Sequence, residues 1–354
     1  MDKSRVMMEL SRELVLGEIL ARQSRSIPDD TVFVSRDKRL SYLQFNERVN
    51  RLANYLKKKG IKKGDRLSIL LLNGNEILES IFAAGKIGAM AVPINYRLIG
   101  KEIEYIIKDS ESSALIYDAG FSGTVQKLLK KDIKEIRSYI LVGNGEGIDP
   151  EYEKVIDEST PEEPLVIVRD RDPALIMYTS GTTGKPKGAV TTHKNQLLKA
   201  ITFSRELEIK EKDSFLCVSP LFHQGPVGLC LMFLMLGGHV VIMDKFTPQE
   251  VAKTIDREKP DVLLLVPTMW RSMLQEKNSD SYDVSSLRVG ITAGAVAPVS
   301  LKKQIAEAYP KMGLYDCFGQ TETCGSLTVL KPEYAYTKPD SIGKPMANTE
   351  VQNS

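Results

Sequence analysis

The sequence predicts an α/β protein of two similar layered units, each a sheet flanked by helices. Three observations predict it. Strand-like and helix-like segments alternate along the 354 residues. That length is enough for two packed cores. An acidic, proline-bearing stretch, Asp149–Pro164, divides the pattern and reads as a connector. The first unit is placed at residues 1–168 and the second at 169–336.

In the first unit, Leu43–Lys59 reads as a helix. Asn46, Val49, Asn50, Ala53 and Leu56 mark its successive turns, and Gly60 stops it. Arg66–Leu72 follows as a strand, Glu76–Ile87 as a helix and Ala91–Ile94 as a strand. Gly100–Ser110 is helical; Ala114–Tyr117 and Tyr139–Val142 are strands. The second unit opens with the buried strand Ala174–Met177, then the helix His193–Leu207 and the strand Phe215–Val218. Val227–Leu236 reads as a buried helix stopped by Gly237-Gly238, with His239–Met243 as a strand. Thr247-Pro248-Gln249-Glu250 has the form of a capping box with proline at the first helical position. Its helix ends near Lys259-Pro260. Val262–Val266 and Leu287–Ile291 are buried strands, Val299–Ala308 is a helix, and Leu314–Phe318 is a strand.

Composition narrows the function. Forty-eight basic against 46 acidic residues leave a net charge of +2, which excludes an extended nucleic-acid footprint. Cys217, Cys230, Cys317 and Cys324 form no C-x-x-C pair, and three histidines complete no zinc pattern. This usage fits a reducing, cytoplasmic setting. The start, Met1-Asp2-Lys3-Ser4-Arg5, lacks the apolar core of a secretory signal. Gly225 to Met243 is uncharged and long enough to span a membrane. Pro226, Gly237-Gly238 and His239 interrupt it, so no transmembrane segment is expected.

The most informative run is Tyr178-Thr179-Ser180-Gly181-Thr182-Thr183-Gly184-Lys185-Pro186-Lys187-Gly188, behind a buried strand and ahead of a helix start near Thr191-Thr192-His193. Glycines let a backbone approach closely. Hydroxyls and N–H groups donate to phosphate oxygens, and Lys185 and Lys187 add positive charge. A Walker loop needs Ser or Thr directly after Gly-Lys, and Pro186 follows Lys185 here. The run is phosphate-binding in character but not of that type. Gly143-Asn144-Gly145-Glu146-Gly147 lacks the spacing of a dinucleotide loop and reads as a turn.

Two further runs sit where open α/β sheets bind ligands, past the carboxyl ends of strands. Tyr315-Asp316-Cys317-Phe318-Gly319-Gln320-Thr321-Glu322-Thr323 offers an aromatic to stack on a base and a carboxylate to hold Mg²⁺. Gly290-Ile291-Thr292-Ala293-Gly294-Ala295-Val296-Ala297-Pro298 offers small residues that leave room for a flat ring. Pro220-Leu221-Phe222-His223-Gln224-Gly225 places a histidine in an apolar loop; a lone histidine there is more often structural than catalytic. His193 and His239 are read as structural.

These runs resemble the signatures of the adenylate-forming superfamily: acyl-CoA synthetases, luciferases and peptide-synthetase adenylation domains. The 179–188 run resembles its phosphate-binding loop. Phe318–Glu322 resembles its Y-G-x-T-E signature with phenylalanine in the tyrosine place, and the 294–298 turn is similar to its G-A-x-P adenine pocket. Leu40-Ser41-Tyr42-Leu43-Gln44-Phe45 and Ala84–Asn95 are similar to its L-T-Y-x-E-L and G-A-x-x-x-P-x-N packing elements. The resemblance covers essentially the whole chain.

The resemblance implies the superfamily's N-terminal domain, with residues 337–354 starting a third, β-rich subdomain. It implies that Thr179, Ser180, Gly181, Thr182, Thr183, Gly184, Lys185 and Lys187 hold the phosphates of ATP. Gly294, Ala295, Val296, Asp316, Cys317, Phe318, Gly319, Gln320 and Thr321 would surround the nucleotide. Phe318 would pack on adenine, Thr321 would contact the α-phosphate and Glu322 would bind Mg²⁺. Thr179, Lys187 and Glu322 would carry catalysis. Phe222, His223, Thr292 and Gln320 would line the acyl pocket, His223 as a gate and not as a base. The implied reaction is attack of a carboxylate on the α-phosphate of ATP, giving an acyl-adenylate and pyrophosphate. A CoA thiolate would then displace AMP. Phe318–Glu322 with Phe222-His223 looks most like enzymes acting on fatty or related acids, and a homodimer is compatible with it.

The chain departs from the pattern after Ser341-Ile342-Gly343-Lys344-Pro345. The family's Y-x-T-G-D segment, its hinge and its C-terminal lid domain with an adenylation-promoting lysine do not follow before Ser354. The expectation is weak nucleotide binding and severely reduced turnover. Two alternatives stay open: an acyl-AMP ligase that loads a carrier protein, and a non-catalytic adenylate-binding fragment.

Overall fold

The computed structural model describes residues 8–9, 12–36, 38–144, 149–179, 184–276 and 281–352. Its strands in chain order are β1 (Thr31–Ser35), β2 (Lys38–Ser41), β3 (Arg66–Leu70), β4 (Met90–Pro93) and β5 (Ala114–Asp118). There follow β6 (Ser138–Val142), β7 (Pro173–Thr179), β8 (Lys187–Thr192), β9 (Ser214–Cys217) and β10 (His239–Ile242). The last are β11 (Val262–Leu265), β12 (Val289–Ala293), β13 (Gly313–Gln320), β14 (Gly325–Leu330) and β15 (Lys344–Pro345). Contacts divide the chain into two units. The first holds Met1–Asp30, Leu40–Leu197 and Leu221–His223; the second holds Thr31–Arg39, Leu198–Pro220 and Gln224–Ser354.

The first unit's sheet runs β6-β5-β3-β4-β7-β8. Its strands pair parallel except the last, where β8 runs antiparallel to β7. The helix Asn75–Ile87 is buried at every residue, its Glu76, Glu79 and Lys86 included. The helix Gly100–Asp109 turns Ile103, Ile106 and Ile107 into a core shared with Leu70, Val92, Leu115 and Tyr117. The helix Tyr42–Lys58 opens with a full capping box between Ser41 and Gln44. Its Phe45 meets Phe82 of the helix Asn75–Ile87 edge-on at 5.8 Å.

The second unit's sheet runs β15-β14-β13-β12-β11-β9-β10-β1-β2. From β13 through β1 the pairs are parallel, and β14 and β15 add antiparallel pairs. Trp270 is fully buried among Leu216, Leu263, Leu265, Leu301, Ile305 and Tyr309, and its indole N–H donates to the Ile291 carbonyl at 3.3 Å. Thr247 caps the helix Pro248–Glu258 by accepting from the Glu250 amide, with proline at the helix start as expected. The helix Gln224–Met235 is short and mostly buried, and among the described residues no helix is long and apolar enough to cross a membrane.

Three expectations change. Residues 173–197 were assigned to the second unit, but β7 pairs with β4 through Ala91 and Leu175, and so belongs to the first sheet. The 149–164 stretch is no free connector: it contains the helix Tyr152–Asp157 and is pinned by amide side chains one helical turn apart. Asn50 Nδ2 donates to the Pro161 carbonyl at 2.9 Å, and Asn54 Nδ2 to the Thr160 and Glu162 carbonyls at 3.0 and 2.8 Å. Finally, the segment expected to open a third subdomain adds its described strand, β15, to the edge of the second sheet beside β14.

Candidate functional site

In the first unit the described ends of the polar run belong to an antiparallel strand pair, β7 and β8. Tyr178 faces Gly188 and Thr179 faces Lys187 across β7 and β8. The helix expected from His193 is present as His193–Glu206, and β8, which sequence reasoning did not assign, lies between the run and that helix. Phosphate binding here would use loop groups and lysines, without a helix N-terminus. Ser180, Gly181, Thr182 and Thr183 lie outside the described residues. Gly184, Lys185 and Lys187 are exposed, and Lys187 makes no hydrogen bond or ion pair among the described residues. Gly188 has to be small: a Cβ there would sit 2.7 Å from Ile176 Cγ2 and 3.2 Å from Tyr178 Cζ. Tyr105 and Asp109, which sequence reasoning did not single out, reach the hairpin from the helix Gly100–Asp109.

His193 follows the hairpin and is structural, as expected. It is fully buried, its Nδ1 accepts from the Leu16 amide at 3.3 Å, and burial pushes its pKa down to about 4 against the opposing charge of Asp172. Phe222 and His223 also lie in this unit. Phe222 meets Tyr96 edge-on at 5.1 Å, and the His223 ring lies 4.4 Å from it. The Leu221 amide donates to Asn73 Oδ1 at 2.9 Å, which fixes the start of this loop. His223 opens to solvent at its edge. Desolvation by the packing beneath it, with the Arg97 guanidinium, holds its pKa below the ordinary value.

In the second unit two motifs come together. Parallel pairing sets Thr292 beside Asp316 and Ala293 beside Cys317, so the turn 294–296 and the segment 318–322 leave neighbouring strands side by side. Thr292 is fully buried and its hydroxyl has no partner among the described residues. Gly294 takes the left-handed backbone conformation, and Val296 is 90% exposed. Phe318 is 40% exposed, so a ring face remains to be covered. Two residues assigned to the nucleotide are otherwise engaged. The Cys317 thiol is buried in the core, and burial pushes its pKa well up. The Asp316 carboxylate pairs at 2.7 Å with Lys302, which is fully buried. Alternation along β13 turns Cys317 inward and Asp316 to the opposite face, where its carboxylate meets Lys302.

Beyond a bulge at 318/319, Gly319 passes so close to Gly325 that a Cβ would overlap its carbonyl. Thr321–Thr323 form one 3₁₀ turn, where Thr323 Oγ1 donates at 2.9 Å to the Gln320 carbonyl. Below it, Lys199 Nζ donates to the Ser326 carbonyl at 2.7 Å. Gln320 and Glu322 are exposed on the turn, and Thr321 is half-buried. Among the described residues there is no group of three His, Cys, Asp or Glu side chains able to cage a metal. One exposed carboxylate suits Mg²⁺ all the same, since that ion is commonly held by one or two carboxylates and the substrate's phosphates.

Strand-end turns in one unit and a lysine-bearing glycine hairpin in the other are the features of this α/β protein that the sequence singled out. The AMP-binding enzyme family matches residues 20–352, and the chain belongs to that family. It is 32% identical over 340 residues to a feruloyl-CoA synthase from Amycolatopsis sp, covering 95% of this chain and 65% of that protein. Among solved structures it superposes on the N-terminal domain of FACL13 from Mycobacterium tuberculosis with a TM-score of 0.87 and 28% identity. That match covers 94% of this chain and 83% of that one. An anthranilate CoA ligase, AuaEII, in complex with anthranoyl-AMP, gives a TM-score of 0.88 at 26% identity, covering 94% of this chain and 64% of that one. The chain thus spans about two-thirds of the length of the curated relatives it matches.

Proposed function

We propose that these residues form the nucleotide-binding part of an ATP-dependent ligase that activates a carboxylic acid as its acyl-adenylate, for transfer to CoA. The observation that carries this reading is the pairing of β12 with β13, which sets the 294–296 turn beside 318–322. Within it Phe318 offers a face for adenine, and the turn leaves room beside that face. The hairpin lysines, Lys185 and Lys187, offset phosphate charge. Thr179 donates a hydroxyl beside Lys187. Mg²⁺, held by Glu322 and the phosphates, supplies charge stabilisation at the transferring group. The chain's residues bind and orient; no nucleophilic side chain is called for.

The acid has an apolar body, fatty or aromatic, against the Phe222 and Tyr96 rings, with His223 as the polar edge of that wall. The test is calorimetric titration of the chain with MgATP, alongside Lys187→Ala and Glu322→Gln, then acid-dependent ATP–pyrophosphate exchange. The exchange panel holds cinnamic, benzoic and medium-chain fatty acids. A lost charge-assisted contact lowers ATP affinity about ten- to a hundredfold in Lys187→Ala. ATP affinity unchanged in both variants would remove the assignment.

A further inference from the structure

The mouth of the hairpin loop is latched from outside. Asp109, the last residue of the helix Gly100–Asp109, presents one carboxylate oxygen to each of two tyrosines. Tyr178, at the end of the incoming strand, donates its hydroxyl to Asp109 Oδ2 at 2.6 Å. The Tyr105 hydroxyl lies 3.3 Å from Asp109 Oδ1 and 3.2 Å from the carbonyl of Pro186, on the outgoing arm. Its single proton is therefore shared between the carboxylate and the loop backbone. Lys185 extends its ammonium over the Tyr105 ring, 5.6 Å from the centroid. Both arms of the loop are thus tied to one helix, which Ile103, Ile106 and Ile107 pin into the core. Partial burial, then the bond to Asp109, raises the Tyr178 pKa, so this tyrosine remains a donor.

We propose that Tyr105 and Asp109 are positioning residues for the triphosphate: they set the span of the loop mouth and the place of Lys185 between Gly184 and Lys187. This rests on the adenylating role proposed above. Neither residue touches the nucleotide. They act through the Pro186 backbone and the Lys185 side chain. Preorganising donors before binding removes an ordering cost that would otherwise be charged against affinity. The part of the ligand that benefits is the part the loop holds, the β- and γ-phosphates that ATP carries and AMP lacks.

The test is a pair of titrations, MgATP and AMP, on the chain, on Tyr105→Phe and on Asp109→Asn, each with a thermal unfolding curve. Tyr105→Phe keeps the ring under Lys185 and removes only the hydroxyl. Asp109→Asn keeps the shape and removes the charge. Losing one such bond weakens ATP binding about three- to tenfold, with AMP affinity unchanged in both variants. Equal loss of both nucleotides, or a lower melting temperature with ATP affinity intact, assigns the two residues to stability alone and overturns the proposal. If the unsubstituted chain binds AMP but not ATP, the triphosphate grip itself falls and the positioning role with it. If it binds neither nucleotide, the proposed function is what has failed.

Discussion

The hairpin loop after β7 and the turn after β13 are held in opposite ways. The loop's mouth is fixed by side chains reaching from a helix, with Tyr105 and Pro186 separated by 81 positions in sequence. The turn is fixed by its own backbone: a glycine against a glycine, a 3₁₀ turn and a threonine bonded two and three residues away. The contrast teaches where each motif can be damaged. The turn fails when a backbone approach is blocked. Crowding beside the loop meets side chains, Ile176 and Tyr178, rather than backbone.

Substitutions sharpen this from the largest effect to the smallest. Under the turn, Lys302→Met leaves the Asp316 carboxylate without its partner. Unfolding by urea should show a loss of about 3 kcal/mol, the low end for a broken buried pair. The low end applies because Asp316 keeps 20% of its side-chain surface exposed. Adding Asp316→Asn should recover part of the loss; no recovery would mean that the pair is not what Lys302 contributes.

Behind the loop, His193 makes a pH-dependent contribution of similar size. Its folded pKa of about 4 lies below the ordinary 6.5, so the unfolded chain takes up the proton first. Stability from this group is complete above pH 6.5 and is lost as pH falls towards 4, by about 3 kcal/mol in all. His193→Gln keeps an acceptor for the Leu16 amide and should flatten that part of the urea-midpoint profile between pH 7 and 4. An unchanged slope would show that His193 charges freely in the fold.

The direct comparison comes next. Gly319→Ala forces backbone against backbone and should cost about 1–3 kcal/mol. Gly188→Ala meets the Ile176 methyl and the Tyr178 ring, side chains rather than backbone, and should cost about 1 kcal/mol, the low end for overpacking. The reverse order, read from urea midpoints, would break the contrast between the two motifs. Smallest of all, Phe318→Ala removes a half-open ring and should move stability by no more than about 0.5 kcal/mol. Its loss should register in AMP affinity, measured by titration.

How much of this was legible depended on whether the partners were neighbours in sequence. The 315–323 stretch was readable as strand residues ending in a polar loop because those features are contiguous; the bulge at 318/319 was not, since it exists only against β14. The cap of the helix Pro248–Glu258 was readable for the same reason, being a bond within four residues, whereas the Ser41–Gln44 box was not singled out. Strand β8 was missed because Lys187, Gly188 and Val190 are exposed, and its residues show no alternation; β7 supplies the edge that makes it a strand. Strand β1 was missed because its pairing partner β10 lies some two hundred residues later. The amide row Asn46, Asn50 and Asn54 has helical spacing, yet the spacing alone does not say that a carbonyl-rich segment lies over it.

By itself, then, the sequence determined the class of fold, the order of its main elements and the residue types that the two motifs present, since periodicity, caps and glycine-rich turns are local properties of a chain. The tertiary structure decided which sheet received β1 and β7, that 149–164 is bound to a helix, that Asp316 meets Lys302 while Cys317 turns inward, and that Tyr105 and Asp109 bond to the hairpin arms. Each of these is a bond or a strand pairing between distant residues. No local pattern can encode it, because its free energy arises only when packing has brought the two partners together.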